Sequence, residues 1–198
     1  KPAIDEDFAK GLGVETLAKL KELIGEQIKK EYDGASRLKL KRELLDVLDK
    51  GHSFDLPPTL VDSEFEMIWK EVENNLKATN KTFADEGKTE DDARKEYRGI
   101  AERRVRLGLV IGEIGEKNKL SVSQDELRRA LFERARQFPG QEKMVYEYYE
   151  KNPGAVAELR APIFEDKVVD FVIEQSKPAE KKVSRDELLK QVEEATER

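Results

Sequence analysis

Apolar residues recur at the spacing of an α-helix along nearly the whole chain. Between Val14 and Lys50, a stretch without proline, they form one stripe that predicts a single long amphipathic helix. The stripe consists of Leu17, Leu20, Ile24, Ile28, Tyr32, Ala35, Leu38, Leu45 and Leu48. Gly25 and Gly34 lie inside it, and each weakens a helix interior by about 1 kcal/mol relative to alanine. Either glycine is therefore a candidate position for a bend.

A second helix is predicted after a short extended segment. Gly51 is a typical residue at the end of a helix, and Pro57, Pro58 and Thr59 are typical of a new helix start. The apolar positions that follow keep the helical period. They are Val61, Phe65, Ile68, Val72, Leu76 and Phe83.

Polar residues mark the starts of four further helices. Three pairs have the capping-box spacing: Thr89 with Asp92, Ser123 with Glu126, and Ser184 with Glu187. Asn152 and Pro153 form an N-cap and first-turn pair for a helix that runs to about Ser176, and Pro162 is expected to kink or interrupt it. Because no segment alternates apolar and polar residues as a strand does, the predicted fold class is all-α.

The stretch "VRLGLVIGEIGEKNKL", residues 105–120, is the most apolar and glycine-rich part of the chain. A phosphate-binding loop would follow a strand and carry a Gly-Lys-Ser/Thr or Gly-x-Gly-x-x-Gly pattern, and this stretch does neither. Gly108, Gly112 and Gly115 instead fall on one face of a helix, which predicts close contact with another helix. The uncharged run Leu107–Gly112 predicts burial on several sides, so Gly112→Leu is expected to overpack the core at a cost of about 1–3 kcal/mol.

Charge dominates the composition. Asp, Glu, Lys and Arg make up 40% of the 198 residues, against a usual value of about 25%, so the chain has much surface and little interior and is expected to be open or elongated. The 43 acidic and 37 basic residues are interspersed and give a net charge of −6. No basic stripe results, which argues against direct binding to nucleic acid. No apolar run approaches the roughly 18–20 residues that span a bilayer, so a soluble chain without a membrane partner is predicted.

Residues with catalytic or metal-binding chemistry are scarce. The chain has no cysteine and a single histidine, His52, beside Gly51 in the predicted connection. Neither a zinc site nor a Ser/His/Asp triad is predicted from such a set, and His52 is interpreted as a solvated loop residue. We therefore predict no catalytic residue, no metal and no cofactor; an enzyme built on His52 remains the minor alternative, to be checked with His52→Ala.

Several long helices with apolar stripes, and too few apolar residues for one dense globule, favour a protein that binds other chains. Four blocks of the sequence carry a resemblance that fits this interpretation. They are "IDEDFAKGLGVETLAKLKELI", "FDLPPTLVDSE", "RRVRLGLVIGEIGEKNKLSVSQDEL" and "YEYYEKNPGAVAELRAPIFEDKVVDFVIEQSK". In order and spacing they resemble the C-terminal chaperone domain of bacterial trigger factor across essentially all 198 residues.

The resemblance implies one domain over residues 1–198, with residues 1–12 following an isomerase domain absent from this chain and residues 177–198 forming a linker and a last short helix. It implies an all-helical, elongated body with two helical arms that form a cradle for unfolded or nascent polypeptides, without ATP. Residues from about Pro58 to Asn118 would form one arm and the core helix, and residues from Ser123 to about Lys151 the other. The helix from Pro153 would return to pack on the body.

The resemblance also implies a cytoplasmic protein, contact with the ribosome only through an absent N-terminal domain, and possible homodimerisation. Isomerase activity is not expected of this chain. The candidate residues for client contact are adaptable apolar and aromatic side chains that are expected to line the cradle. They are Phe65, Met67, Ile68, Trp69, Phe83, Phe132, Phe138, Met144, Tyr148 and Tyr149.

Two alternatives stay open beside this interpretation. Each candidate side chain could serve ordinary packing between helices, and the chain could be a structural or dimerisation module that spaces other domains and binds no client. A periplasmic relative with similar helices would instead require a signal peptide upstream.

Overall fold

A computed structural model describes residues 4–196 of the protein. Within this range the chain forms eight α-helices and one short 3-10 turn, with no β-strand, so the all-α prediction is confirmed. The helices are α1 (Glu6–Gly11), α2 (Leu17–Gly51), α3 (Pro58–Thr79), α4 (Glu90–Lys117), α5 (Gln124–Arg136), α6 (Glu142–Lys151), α7 (Pro153–Ser176) and α8 (Arg185–Thr196). The 3-10 turn covers Phe83–Glu86.

The helices group into two compact units. The first unit comprises residues up to 44 together with the segment from 179 onward, and the second unit comprises residues 45–178. In the first unit, Asp5 caps α1 by accepting a hydrogen bond from the N–H of Phe8 at 3.0 Å, and Glu6 accepts one from the N–H of Leu17 at the start of α2 at 2.9 Å. Helix α1 is not predicted from the sequence, because its six residues are too few to show a helical period.

The second unit is built around the packing of α3 on α4. Val61, Ile68 and Ala101 are buried at its centre. Partly buried neighbours complete this core: Leu56, Phe65, Val72, Tyr97, Ile100 and Val105. Ion pairs at the edge of the core join Arg98 to Asp62 and Arg104 to Glu64, each at 2.9 Å.

Charged side chains attach the last turns of α2 to α4. Asp49 is only 16% exposed and lies between two guanidinium groups, 2.6 Å from Arg106 Nη1 and 3.3 Å from Arg103 Nη1. Arg103 also pairs with Asp46. Because these groups are partly removed from water, their attraction is screened less than that of surface pairs.

Three glycines of α4 were predicted to contact another helix; the prediction is correct for Gly115 and wrong for Gly108 and Gly112. Gly115 is buried, and a Cβ added there would lie 2.9 Å from Cε2 and 3.1 Å from Cε1 of Phe164 on α7, with Cζ closer still. Cβ atoms added at Gly108 or Gly112 would meet nothing within 4 Å, and Leu109 between them is 39% exposed. The α3–α4 core extends along α4 as far as Val105, and α7 approaches α4 at Gly115, so Gly108 and Gly112 fall between these two contacts.

Two predicted boundaries also differ from the structure. Phe83 does not continue α3, because the helix ends at Thr79 and Asn80 adopts a left-handed conformation at φ 51° before the 3-10 turn. Asn152 does not cap α7 through its side chain; it donates a hydrogen bond to the carbonyl oxygen of Tyr148 at 2.7 Å and so closes α6 instead. Only this one residue separates α6 from α7, and α7 continues through Pro162 to Ser176.

The start of α5 is joined to α7 because the capping-box carboxylate of Glu126 also pairs with Lys167. Glu126 accepts hydrogen bonds from the backbone N–H and the hydroxyl of Ser123, both at 2.7 Å, and pairs with Lys167 of α7 at 2.9 Å. These donors, the Ser123 backbone first, hold the pKa of Glu126 at about 2 against an ordinary value of 4.5. Lys167 also donates to the carbonyl oxygen of Ser121, so one side chain positions the whole entry to α5.

Candidate functional site: apolar surfaces of the second unit

An exposed apolar patch lies where α5 and α6 meet. Phe138, Met144 and Tyr148 are 41%, 67% and 56% exposed, and together with Val145 and Tyr149 they line a groove of about 290 Å³. We call these five residues the α5–α6 patch. Residues 144, 145, 148 and 149 are spaced so that they share one side of α6, and the turn before Gly140, at φ +81°, brings Phe138 beside them.

Charged and aromatic contacts hold this patch in shape without covering it. The Arg134 guanidinium lies 5.3 Å from the centre of the Phe138 ring and donates to Gln137 at 2.8 Å. The rings of Tyr148 and Tyr149 meet edge to face with centres 5.5 Å apart. Phe132, 54% exposed on α5, lies under the guanidinium of Arg136 at 5.9 Å.

The aromatic residues predicted on the first arm form a packed cluster. The Trp69 ring stacks on Phe65 at 5.8 Å and on Phe83 at 5.3 Å, and meets the edge of Tyr97 at 6.1 Å. Its Nε1 donates to Glu73 at 2.9 Å, and the Arg94 guanidinium lies 4.2 Å from its centre. Trp69 is therefore only 8% exposed.

Two neighbours of this cluster differ sharply in exposure. Ile68 is 7% exposed and belongs to the α3–α4 core, whereas Met67 is 60% exposed. Adjacent positions on a helix point about 100° apart, which explains why one of these side chains is buried and the next is free.

A second groove, of about 640 Å³, runs between α6 and the first half of α7. We call it the α6–α7 groove. Tyr149, Pro153, Val156 and Phe164 form its apolar lining, and Glu150 and Arg160 lie at it as charged residues. Val156 and Phe164 are not among the candidates predicted from the sequence, because their helical spacing in α7 is the same as that of core residues.

His52 lies beside an apolar pocket of about 370 Å³ that also involves Phe54, Leu109 and Ile114. The imidazole is exposed, and its Nδ1 is 2.7 Å from the carbonyl oxygen of Leu48 at the end of α2. With its proton on Nδ1 the ring donates to this carbonyl in the last turn of the helix. This structural contact accounts for the only histidine of the chain.

Residues 4–196 contain no group of three or more His, Cys, Asp or Glu side chains arranged to hold a metal ion. In the same range no helix combines the length and apolar character needed to cross a membrane. The structure thus defines an all-α protein whose candidate site is a set of exposed apolar side chains next to grooves between helices.

Comparison with known proteins identifies the family. The family described as bacterial trigger factor protein (TF) C-terminus matches residues 16–174, and this chain belongs to it. Among its relatives, the trigger factor of Afipia carboxidovorans is 61% identical over 188 residues, which cover 95% of this chain and 42% of the relative. That of Azorhizobium caulinodans is 59% identical over 191 residues (96% and 42%), and that of Rhodopseudomonas palustris 58% over 193 residues (98% and 43%).

These matches confirm the resemblance inferred from the four sequence blocks. The chain spans well under half of the length of the relatives that it matches.

Proposed function

We propose that this chain is an ATP-independent chaperone domain that binds unfolded or nascent polypeptides and prevents their aggregation. The observation that carries the proposal is the α5–α6 patch, in which Phe138, Met144 and Tyr148 are between 41% and 67% exposed next to one another. Contiguous exposed apolar surface of this kind is typical of sites that bind other chains.

The size of the patch suits weak and reversible binding. If a client covers about 300 Å² of apolar surface, the gain is roughly 7.5 kcal/mol at about 25 cal/mol per Å². The loss of translational and side-chain freedom on association offsets much of this gain, so one patch binds weakly and several patches are needed for micromolar capture. Met67 and Phe132, both more than half exposed, are proposed as such additional contacts.

The side chains of the patch are suited to clients without a fixed sequence. Methionine is flexible and adapts to different apolar shapes, while tyrosine offers a rigid ring with a polar end. Among the ten candidate residues, Ile68 and Trp69 are proposed to support the arm from inside, because they are nearly buried. Phe65, Phe83 and Tyr149, which are half-buried, are proposed as edge contacts.

Further parts of the proposal follow from the family. We propose that residues 1–198 act as one functional domain with two arms forming a cradle, that the protein works in the cytoplasm, and that it can form homodimers. Ribosome contact and prolyl isomerase activity are proposed for other parts of the full-length protein, and no catalytic activity is proposed for this chain.

The test measures whether the chain suppresses the aggregation of a chemically denatured client. Aggregation is monitored by light scattering in the absence of nucleotide. The triple variant Phe138→Ser, Met144→Ser, Tyr148→Ser is expected to lose most of the protection given by the wild-type chain. The matched control Val47→Ser, Leu60→Ser, Leu189→Ser removes three exposed apolar side chains elsewhere and should keep it. Equal protection by both variants would contradict the patch, and no protection by the wild-type chain at several-fold excess would favour a structural or dimerisation module.

A further inference from the structure

Two charged residues at the α6–α7 groove lack the partners that similar residues have elsewhere. Arg94, Arg98 and Arg104 each pair with a carboxylate of the second unit. Arg160 is exposed at the groove, and its side chain forms no hydrogen bond or ion pair with any residue in the part of the chain that the structure describes. Its guanidinium is therefore available to a carboxylate from outside.

Glu150, an acidic residue of α6, likewise has no charged partner among the described residues. One turn earlier on α6, Glu147 has two lysine partners, Lys143 at 3.7 Å and Lys151 at 3.9 Å. Glu150 has no cation within ion-pair distance among the described residues, and it does not pair with Arg160 although both lie at one groove. The groove thus carries two separate, unpaired and opposite charges on two different helices.

Between these charges the groove is apolar. Tyr149 and Pro153 line it on the side of the α6–α7 junction, and Val156 and Phe164 line it along α7. Tyr149 also lines the α5–α6 patch, so the two surfaces are continuous at this ring.

We infer that the α6–α7 groove binds client segments in which one apolar residue is flanked by an acidic residue on one side and a basic residue on the other. This inference rests on the proposed function and names the class of segment that this groove selects. The apolar side chain packs between Tyr149 and Phe164, the client carboxylate pairs with Arg160, and the client ammonium or guanidinium pairs with Glu150. Segments flanked by two charges of the same sign gain one pair and suffer one repulsion.

The expected selectivity is modest because both residues are exposed. Exposed ion pairs contribute little in water, so two of them together give a preference of roughly three- to tenfold in Kd at low salt. Because such pairs are screened, the preference should largely disappear at about 0.5 M salt while apolar binding remains.

The experiment uses three end-blocked fluorescent peptides with the same central phenylalanine and with Glu/Lys, Lys/Lys or Glu/Glu flanks. Kd values are measured by fluorescence anisotropy with the wild-type chain, Arg160→Glu, Glu150→Arg and the double variant that exchanges the two charges. Wild type should prefer the Glu/Lys peptide, Arg160→Glu the Lys/Lys peptide and Glu150→Arg the Glu/Glu peptide. The double variant should restore the preference for Glu/Lys flanks, which no change in net charge alone produces.

Each other outcome overturns the inference in a recognisable way. If all peptides bind but their order follows net charge, with Lys/Lys first for the wild-type chain of charge −6, the groove does not select mixed flanks while the proposed chaperone function stands. If no peptide binds and client aggregation is not suppressed, the proposed function fails together with the inference. If Arg160→Glu abolishes a concentration-dependent self-association seen by sedimentation, the groove belongs to a second copy of the chain.

Discussion

Replacing Gly115 with alanine tests the contact between α4 and α7 at a single atom. The added Cβ would lie 2.9 and 3.1 Å from two ring carbons of Phe164, and still closer to the third. Carbon atoms in favourable contact are about 3.5–4.0 Å apart, so the ring has to move away from α4. Phe164 also lines the α6–α7 groove, which gives the displaced ring an open direction in which to turn.

Two effects of opposite sign determine the change in stability. Overpacking at a close contact costs about 1–3 kcal/mol, while alanine in place of glycine favours the helix by up to about 1 kcal/mol. Gly112 provides the matched control, because it lies in the same helix and an added Cβ meets nothing within 4 Å. Since the helix gain is common to both variants, Gly115→Ala should be less stable than Gly112→Ala by about 1–3 kcal/mol.

The measurement is urea unfolding of the wild-type chain and the two variants, monitored through the far-UV circular dichroism signal of the helices. Gly112→Ala is expected to raise the midpoint slightly, and Gly115→Ala to lower it. Adding Phe164→Leu should recover part of the loss in the Gly115→Ala background, because the smaller side chain leaves room for the methyl group. Equal stability of the two alanine variants, or no coupling between positions 115 and 164, would refute the close contact on which the reasoning depends.

Two further predictions concern charged contacts. The folded pKa of Glu126, about 2, is lower than its ordinary value of 4.5, so the ionised carboxylate stabilises the fold above pH 4.5 and this contribution is lost as the pH falls towards 2. Glu126→Gln should therefore make the unfolding free energy less dependent on pH between 4.5 and 2; a pH profile parallel to that of the wild-type chain would contradict this. Asp49→Asn should cost about 1–3 kcal/mol in urea unfolding, because Arg106 loses its carboxylate partner and Arg103 keeps only Asp46. Glu113→Gln, in an exposed pair with Lys117, should cost much less. Equal costs would show that the Asp49 cluster behaves as surface charge.

The helices could be predicted from the sequence because their limits depend on local chemistry. Ser123 with Glu126 forms both hydrogen bonds of the predicted capping box, and Thr89 accepts the predicted bond from the N–H of Asp92. The end of the first long helix at Gly51 and the restart at Pro58 are also correct. Each of these signals acts within a few residues, so no knowledge of tertiary contacts is needed to interpret it.

The roles of side chains on those helices could not be predicted in the same way. Gly108, Gly112 and Gly115 share a face of α4, yet only at Gly115 would an added Cβ meet a neighbouring helix. Where a neighbouring helix begins and ends along that face is decided by the tertiary arrangement. Periodicity identifies a face that can be buried, but the partner determines how much of that face is buried.

The aromatic residues of the two candidate surfaces differ in exposure for the same reason. Trp69 and Tyr148 both lie on amphipathic helices with charged neighbours, but Trp69 has three rings and a guanidinium around it and is 8% exposed, while Tyr148 touches one ring and is 56% exposed. The difference arises because α3 packs along α4, whereas α6 has only ten residues and little of its apolar side is covered by other helices. This short helix lies between the break at residues 137–141 and the one at Asn152, and its aromatic residues are left exposed or half-buried. An exposed apolar surface on a fixed backbone is what a site for transient, non-specific capture of other chains requires, since ordering such a surface at each binding event would cost additional conformational entropy.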